Sequence, residues 1–523
     1  MAGTGAAALA AAACAPPTPQ PPAPPTTPST TPPTTPPPVP WPVEEARTLA
    51  NRATFGATKP VVDRILTIGA EAWIDEQLAA RGAGVESMLS GYTTLGATNA
   101  QNENQRKTDE SVLFDELDHA MLLRAVHSQN QLYEVMCDFW SNHFNIWRSA
   151  KYLTQLKTRD DGDVIRPNAL GRFVDLLLAS ARSPAMLVYL DNYNSNARAP
   201  KGLNENWGRE LLELHTLGII KGEQVYSEAD VRAVATVMAG RTINYANTPT
   251  RFTYLWNSSY ASTDAVSVLG GQWSRPTRSN AAQSETDGDS LLAFLARHPS
   301  TARYICYKLC RRFVADDPPM ALVDRLAAVY TANDTAIAPV LRTLLLSQEL
   351  RSSGGRKTKR PIEWLYSGLR VMGATVDPKP SGQAASRLRS VQSTLGQPIN
   401  GRPSPDGYPE TASAWVSADG LLKRWEKGAL LARNRITDTN AAEKVTVDLN
   451  ALLPSPLPTT TRDLVVAIAD QVFQYPLSPA DADSILMALT VVPTASATTL
   501  TSNSSNLQAT FGLLAAHPAF QRR

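Results

Sequence analysis

The chain has 523 residues, of which 43% are hydrophobic and 19% are charged, and its formal net charge is +2. This composition is typical of a globular protein, and the length allows several domains' worth of core. A nucleic-acid-binding protein would need a concentrated basic face. The densest basic run, residues 356–360, directly precedes Pro361 and is better explained as the entrance to a helix. We therefore expect no nucleic-acid partner.

The first 42 residues differ in composition from the rest. Residues 1–14, "MAGTGAAALAAAAC", form an alanine-rich run typical of a secretory signal that ends at a lipid-attachment cysteine, Cys14. Ala11 stands where leucine is usual, and a basic start is missing, so a plain low-complexity leader is the alternative. Residues 15–42 are rich in proline and threonine, which predicts an extended, disordered linker or stalk.

These features predict an exported protein of the cell envelope, either lipid-anchored or periplasmic or extracellular. No later apolar stretch reaches the length of about 18 residues that a membrane-spanning helix needs. The expected contact with the membrane is therefore the lipid anchor alone.

From residue 43 onward the apolar residues recur mainly at helical spacing. Ser227 with Asp230 and Ser478 with Asp481 predict capped helix starts, and two short runs, 251–256 and 265–271, predict a small β-hairpin. We predict a mainly α fold, with one large multi-helix globular domain over 43–523, or two lobes, behind the stalk. The strongest helical patterns cover residues 58–80, 111–147, 168–192, 226–240 and 478–492.

The cysteines show no disulfide or metal framework. Cys306 and Cys310 lie four residues apart on one predicted helix, where a disulfide would be strained. No CxxC pair or His-x₃-His pair is present to complete a metal site. We expect these two residues and Cys137 to be buried free thiols, we predict no metal site, and the sequence identifies no cofactor.

The segment "NENWGRELLELHTLG", residues 204–218, concentrates polar and charged groups. On a regular helix its apolar stripe contains Trp207, Leu211 and Leu214. Glu205 and Arg209 lie on the far side, four residues apart, as an expected exposed ion pair. A second stripe borders the apolar one and carries Asn206, Glu210 and Glu213.

The position of Glu210 beside the apolar stripe allows two interpretations. A buried carboxyl group must be paired with a basic or amide group, or it must be protonated with a raised pKa. In the second case it could act as a general acid or base. His215 lies on the opposite flank of a regular helix, so it cannot share a metal ion with Glu210 and Glu213.

"FWSNHFNIW", residues 139–147, places His143 on an apolar helix face. Such a histidine is more often a hydrogen-bonded core residue than a ligand. Asn142 could orient its ring, and a nearby Glu210 or Glu213 would complete an acid–base pair. His143, Glu210 and Glu213 are therefore the candidate catalytic residues.

The segment "GQPINGRPSPDGYPET", residues 396–411, contains too many prolines and glycines for a helix. Its tyrosine and the following Trp415 predict that it packs against the helical body, either as a binding rim or as a structural strap. Together with the segments above, it supplies the candidate binding residues Asn142, Asn206, Arg209, His215, Asp406 and Tyr408.

In their order along the chain, several of these segments resemble one bacterial family, the domain-of-unknown-function family 1800. The resemblance runs from about Pro42 to the end of the printed sequence. It rests on "ANRATFGAT", "FWSNHFNIW", "VYLDN", "NENWGRELLELHTLG", "YSEADVRAVATVMAGRTI", "HPSTARYICYKLCRRFV", "KRPIEWLYSGLRVMG" and "LGQPINGRPSPDGYPETASAW".

The resemblance implies an exported protein whose gene often lies beside one for an exported protein of sulfatase-like fold, and it implies no reaction. Many members have a His-Asp pair after the "AGRT" segment, which is "SSYASTDAVSVLG" here, and a tryptophan where this chain has Arg241. Two hypotheses follow. The first is an envelope binding or assembly factor that acts with such a partner, and the alternative is an envelope hydrolase with a His/Glu acid–base pair.

Overall fold

The computed structural model describes residues 41–79, 84–150, 152–200, 202–380, 383–437 and 444–523, with Gln383 as backbone only. The predicted leader with Cys14 and nearly all of the Pro/Thr-rich linker lie outside these residues. Helix accounts for 59% of the structure, and the strands form small two-stranded sheets. The predicted mainly α fold is thus confirmed. Among the described helices, none is both long enough and apolar enough to cross a membrane.

The first half of the fold contains twelve described α-helices. They are α1 (Val43–Ala53), α2 (Lys59–Ile68), α3 (Ala70–Ala79), α4 (Thr93–Gly96), α5 (Asn99–His127), α6 (Gln131–His143), α7 (Leu153–Asp160), α8 (Arg166–Asn168), α9 (Phe173–Ala181), α10 (Pro184–Tyr189), α11 (Asn206–Glu210) and α12 (Glu228–Met238).

Twelve more described helices follow the strands of the middle segment. They are α13 (Gln283–Arg297), α14 (Pro299–Phe313), α15 (Met320–Ala332), α16 (Ile337–Leu345), α17 (Gln348–Arg351), α18 (Pro361–Val371), α19 (Gln383–Thr394), α20 (Ala418–Ala432), α21 (Thr461–Gln471), α22 (Pro479–Ala488), α23 (Ala497–Thr501) and α24 (Ser504–Ala516).

The predicted helix starts follow from local capping. The Ser227 hydroxyl accepts a hydrogen bond from the Asp230 backbone N–H, and the Asp230 carboxylate accepts one from the Ser227 N–H in return. Ser478 accepts from the Asp481 N–H in the same way. The pattern over 58–80 is divided, however, because Gly69 adopts a φ of 84° between α2 and α3.

The strands pair differently from the predicted hairpin. β1 (Arg241–Ile243) pairs antiparallel with β2 (Tyr254–Trp256), and β3 (Val266–Val268) pairs antiparallel with β4 (Trp273–Arg275). The runs 251–256 and 265–271 therefore supply one strand each to two separate hairpins, and the prediction that they pair with each other is wrong. A third pair joins β5 (Thr375–Val376) to β6 (Val445–Thr446).

Two helices with buried apolar residues, α6 and α14, lie beside the candidate site, and α6 carries Asn142 and His143. Phe139 and Trp140 of α6 and Ile305 and Leu309 of α14 are all buried. α11 packs against α12, and α14 packs against α15. The proline-rich segment 396–411 lies across the carboxyl end of α6, as its hydrogen bonds show.

Candidate functional site

Residues 204–218 do not form one regular helix. α11 ends at Glu210, and a π-helical turn, Leu211–His215, continues it. A π turn closes hydrogen bonds five residues apart, so it is wider than an α turn and shifts the side chains that follow. Trp207 and Leu211 are buried as predicted, but Leu214 is only half-buried, and Leu212 is fully buried in its place.

The predicted ion pair between Glu205 and Arg209 is absent. Arg209 instead donates two hydrogen bonds to the carboxylate of Glu228, at 2.7 and 2.6 Å, and Arg232 donates to Glu205 at 2.9 Å. Both partners lie on α12. Gly208 allows the close approach of the two helices, because a Cβ atom there would lie 2.9 Å from the Val231 carbonyl oxygen.

Three carboxylates, Glu210, Glu213 and Asp406, form what we call the acidic rim. Burial raises the pKa of Glu210, and the charges of Glu213 and Asp406 raise it further. Tyr226 donates to Glu213 at 3.3 Å, and Arg402 pairs with Asp406 at 2.9 Å. Glu210 is half-buried and has no hydrogen bond or ion pair with any described residue. The first interpretation, a buried carboxyl group paired with a basic or amide group, is therefore wrong.

This arrangement predicts a pH-dependent gain in stability for Glu210→Gln. Because the folded-state pKa is raised, the charged carboxylate lowers stability above that pKa and has no such effect below its ordinary value of 4.5. We expect the free energy of unfolding to rise at pH 7 by about 0.2–0.5 kcal/mol, the usual cost of like charges three residues apart on a helix. The gain should vanish at pH 4 in urea denaturation.

The matched control for that experiment is Glu205→Gln. Glu205 already has a basic partner, Arg232, so its removal should give no gain at either pH. A loss of stability for Glu210→Gln at pH 7 would show that the carboxylate has a favourable partner after all.

His143 is 1% exposed and is bonded to the protein through both ring nitrogens. Lys308 Nζ donates to Nδ1 at 2.8 Å, so Nε2 carries the ring proton and donates to the His215 carbonyl oxygen at 3.2 Å. Burial lowers the pKa of His143 well below its ordinary value, and the charge of Lys308 adds to this effect. His143 is therefore a neutral core histidine, and it has no hydrogen bond to Glu210 or Glu213.

The predicted binding residue His215 is buried as well. Burial and the charge of Lys308 lower its pKa to about 3. Asn206 is exposed, and its backbone N–H donates to the Asn204 side chain at 2.9 Å, at the start of α11. His215 therefore lies in the core, whereas Asn206 lies at the surface.

Lys308 is the residue that the sequence argument missed. It lies on α14, partly buried, and burial lowers its pKa to about 8, although Glu410 and Asp406 oppose this shift. Its ammonium group lies 5.5 Å from the centre of the Tyr304 ring. The only local signal was a lysine enclosed by apolar residues in "YICYKLC".

We expect the amine of Lys308 to titrate with a midpoint near pH 8. The reason is that a partly buried ammonium loses hydration and is therefore less stable than in water. Competitive acetylation followed by mass spectrometry measures this midpoint, with Lys423 on α20 as the internal reference. A midpoint at the ordinary value of 10.5 would contradict the burial of the charge.

Asn142 fastens the proline-rich segment to α6. Its side-chain amide donates to the Tyr408 carbonyl oxygen at 2.8 Å and accepts from the Tyr408 N–H at 2.7 Å. Asn145 donates to the carbonyl oxygens of Arg402 and Ser404, at 3.0 and 2.8 Å. The expectation that this segment packs down is confirmed, and the amide of Asn142 serves the loop rather than the His143 ring.

Six charged residues form what we call the buried ion network: Asp138, Arg312, Arg360, Glu363, Glu410 and Arg523. Glu363 contacts Arg312, Arg360 at 3.3 Å and Arg523 at 3.1 Å. Glu410 contacts Arg360 at 3.2 Å, and although burial opposes it, the surrounding cations lower the pKa of Glu410 to about 2. Glu410 follows Tyr408 by two residues and so joins the proline-rich segment to this network, which no pattern in the sequence predicts.

The described residues hold no group of three or more His, Cys, Asp or Glu side chains that could bind a metal ion. Cys137, Cys306 and Cys310 are buried and free. Burial raises the pKa of the Cys310 thiol to about 12 and that of Cys306 well above its ordinary value. These thiols are therefore protonated and unreactive at neutral pH.

The comparisons with known proteins give one match. A family model described as "Protein of unknown function (DUF1800)" covers residues 48–522. No curated protein and no solved structure matches the chain. The matched range contains the proline-rich segment, the acidic rim and nearly all of the buried ion network. The chain therefore belongs to the DUF1800 family of proteins of unknown function.

Proposed function

We propose that the protein is a cell-envelope binding or assembly factor that acts with an exported sulfatase-like partner. The setting in the envelope is proposed from the leader-like residues 1–14 and the Pro/Thr-rich segment that follows them. The partner is proposed from the family resemblance. The contacts of the candidate site favour this function over acid–base hydrolysis.

The observation that most favours this function is that both ring nitrogens of His143 are hydrogen-bonded within the protein. A general base needs a free ring nitrogen within reach of a substrate proton. Here one nitrogen accepts from Lys308, and the other donates to the His215 carbonyl oxygen. Asn142 likewise uses both ends of its amide on Tyr408. These groups tie segments together, as expected of a scaffold.

A set of exposed apolar side chains supports a binding role as well. Val416, Leu422 and Trp425 lie within ten residues, directly after the proline-rich segment, and are 53%, 59% and 47% exposed. Clustered apolar side chains on a protein surface often mark interaction sites.

Purification of the tagged full chain from its native membrane tests the proposal. We expect a sulfatase-like protein to be recovered in stoichiometric amount, and its absence from the purified fraction would contradict the proposal. Leu422→Lys should reduce recovery by about tenfold or more, because a charge buried in an interface without a partner is costly. Met487→Lys, at a residue that is 63% exposed on α22, is the control and should leave recovery unchanged.

A further inference from the structure

A cleft of about 470 Å³ lies beside the start of α1 and shares no lining residue with the acidic rim. Its volume falls within the range of about 300–1,000 Å³ that is usual for small-molecule sites. Phe473, Tyr475 and Phe520 supply an aromatic part of its wall. The remainder of the wall is rich in positive charge.

The charges that line this cleft do not balance. The carboxylate of Glu44 pairs with Arg47 at 2.9 Å, and that of Glu45 pairs with Arg351 at 2.5 Å. Arg47 also pairs with Asp470, which lies outside the lining, at 2.5 Å. No further carboxylate side chain lines the cleft, but three more basic side chains do: Lys359, Arg522 and Arg523. Of these three, only Arg523 has an acidic partner among the described residues.

Lys359 is 4% exposed, and its ammonium group has no carboxylate within ion-pair distance among the described residues. It donates to the Ser367 hydroxyl at 2.8 Å and lies 3.6 Å from the centre of the Phe520 ring. Burial lowers the pKa of Lys359 well below its ordinary value, and the nearby Arg523 and Arg424 add to this effect. The charged form of a buried amine without a counter-charge is costly, and an anion bound beside it would favour that form.

Other lining groups are also left without partners. The Nε atoms of Arg47 and Arg523 are buried and have no hydrogen-bond partner. Both side chains line the cleft, and both residues are less than 10% exposed. Arg522 is exposed, and its guanidinium group makes one long hydrogen bond, to the Gly355 carbonyl oxygen at 3.4 Å. The cleft thus offers several unsatisfied donors and an excess of positive charge.

We propose that this cleft binds a small ligand that carries an oxyanion group, namely a phosphate, sulfate or carboxylate, on a ring-bearing or apolar body. The oxyanion supplies the missing counter-charge to Lys359 and Arg522. Charge-assisted hydrogen bonds from such groups are the usual means of oxyanion recognition. The ligand body packs against Phe473 and Tyr475.

Thermal unfolding of the full chain tests this proposal. Sodium phosphate, sulfate and acetate are each compared with sodium chloride at equal ionic strength. We expect at least one of the three anions to raise the Tm above its value in chloride, because a ligand that binds only the folded chain stabilises it. A rise in Tm with acetate alone identifies a site for a carboxylate, whereas a rise with phosphate or sulfate identifies a site for a tetrahedral oxyanion. No rise with any of the three would overturn the proposal.

Two variants separate binding from the general stabilising effect of these salts. Arg522→Ala changes an exposed residue, and it should remove most of the anion-specific rise in Tm. Lys359→Met should raise the dissociation constant for the same anion, measured by calorimetry, by about tenfold or more.

Arg325→Ala is the matched control, because Arg325 is an exposed arginine that pairs with Glu349 outside the cleft. It should keep the full rise in Tm. An equal rise in Arg522→Ala, Arg325→Ala and the wild type would overturn the proposal, whether or not the Lys359 variant folds.

Discussion

Glu363→Gln should lower the free energy of unfolding by about 3–5 kcal/mol, the usual cost of removing one partner of a buried ion pair. Glu363 is 3% exposed and contacts three guanidinium groups, and its carboxylate also accepts the Arg360 backbone N–H at 2.8 Å. The neutral amide leaves Arg312 and its neighbours with an uncompensated charge. Urea denaturation at pH 7 measures the loss.

The control for this experiment is Glu76→Gln. Glu76 forms an exposed ion pair with Arg64 at 2.5 Å, and such pairs contribute about 0.2–1 kcal/mol. Similar small losses in both variants would contradict the structural role of the buried ion network.

Gly407→Ala should destabilise the protein by about 2–5 kcal/mol. Gly407 has a φ of 74°, where a non-glycine residue costs about 1–2 kcal/mol. An added Cβ would also lie 2.3 Å from the Asn142 carbonyl oxygen, and overpacking of this kind costs about 1–3 kcal/mol. The clash occurs where Asn142 fastens the proline-rich segment to α6.

Gly373→Ala separates the backbone cost from the clash. Gly373 has a comparable φ of 59°, but nothing lies within 4 Å of a Cβ added there. It should therefore cost only the backbone part. Limited proteolysis should cleave the 396–411 segment faster in the Gly407 variant alone, and equal cleavage of both variants would contradict the fastening by Asn142.

Features that depend on neighbouring residues could be predicted from the sequence. The mainly α fold and the caps at Ser227 and Ser478 follow from short patterns, because their partners lie three residues away. The burial of His143 followed from its apolar helix face. The packing of the proline-rich segment followed from its composition and its tyrosine.

Features that depend on distant partners could not be predicted in this way. Glu363 contacts Arg523, and Arg360 contacts Asp138, although each pair is far apart along the chain. The π turn after Glu210 is equally hidden, because one widened turn leaves no mark in an apolar pattern. The π turn moves Leu214 out of the core. Glu205 and Arg209, which were expected to pair with each other, each pair with a residue of α12 instead.

The role of Lys308 was hidden for the same reason. Its hydrogen bond to His143 joins α14 to α6, and single-chain periodicity does not show which helices are neighbours. An isolated lysine among apolar residues indicates burial only. Its partner becomes visible when the two helices are placed side by side.

The buried ion network also has a consequence for the order of events during synthesis. The backbone of Lys359 donates to the Gln521 carbonyl oxygen at 2.9 Å, and the Arg523 side chain enters the network. Residues 521–523 leave the ribosome after every other segment of the network. A nascent chain therefore carries Glu363 and Glu410 without one of their cations until translation has passed that point. The complete network can therefore close only after residues 521–523 have emerged, and until then Arg312 and Arg360 are the cations of the network that these carboxylates can meet.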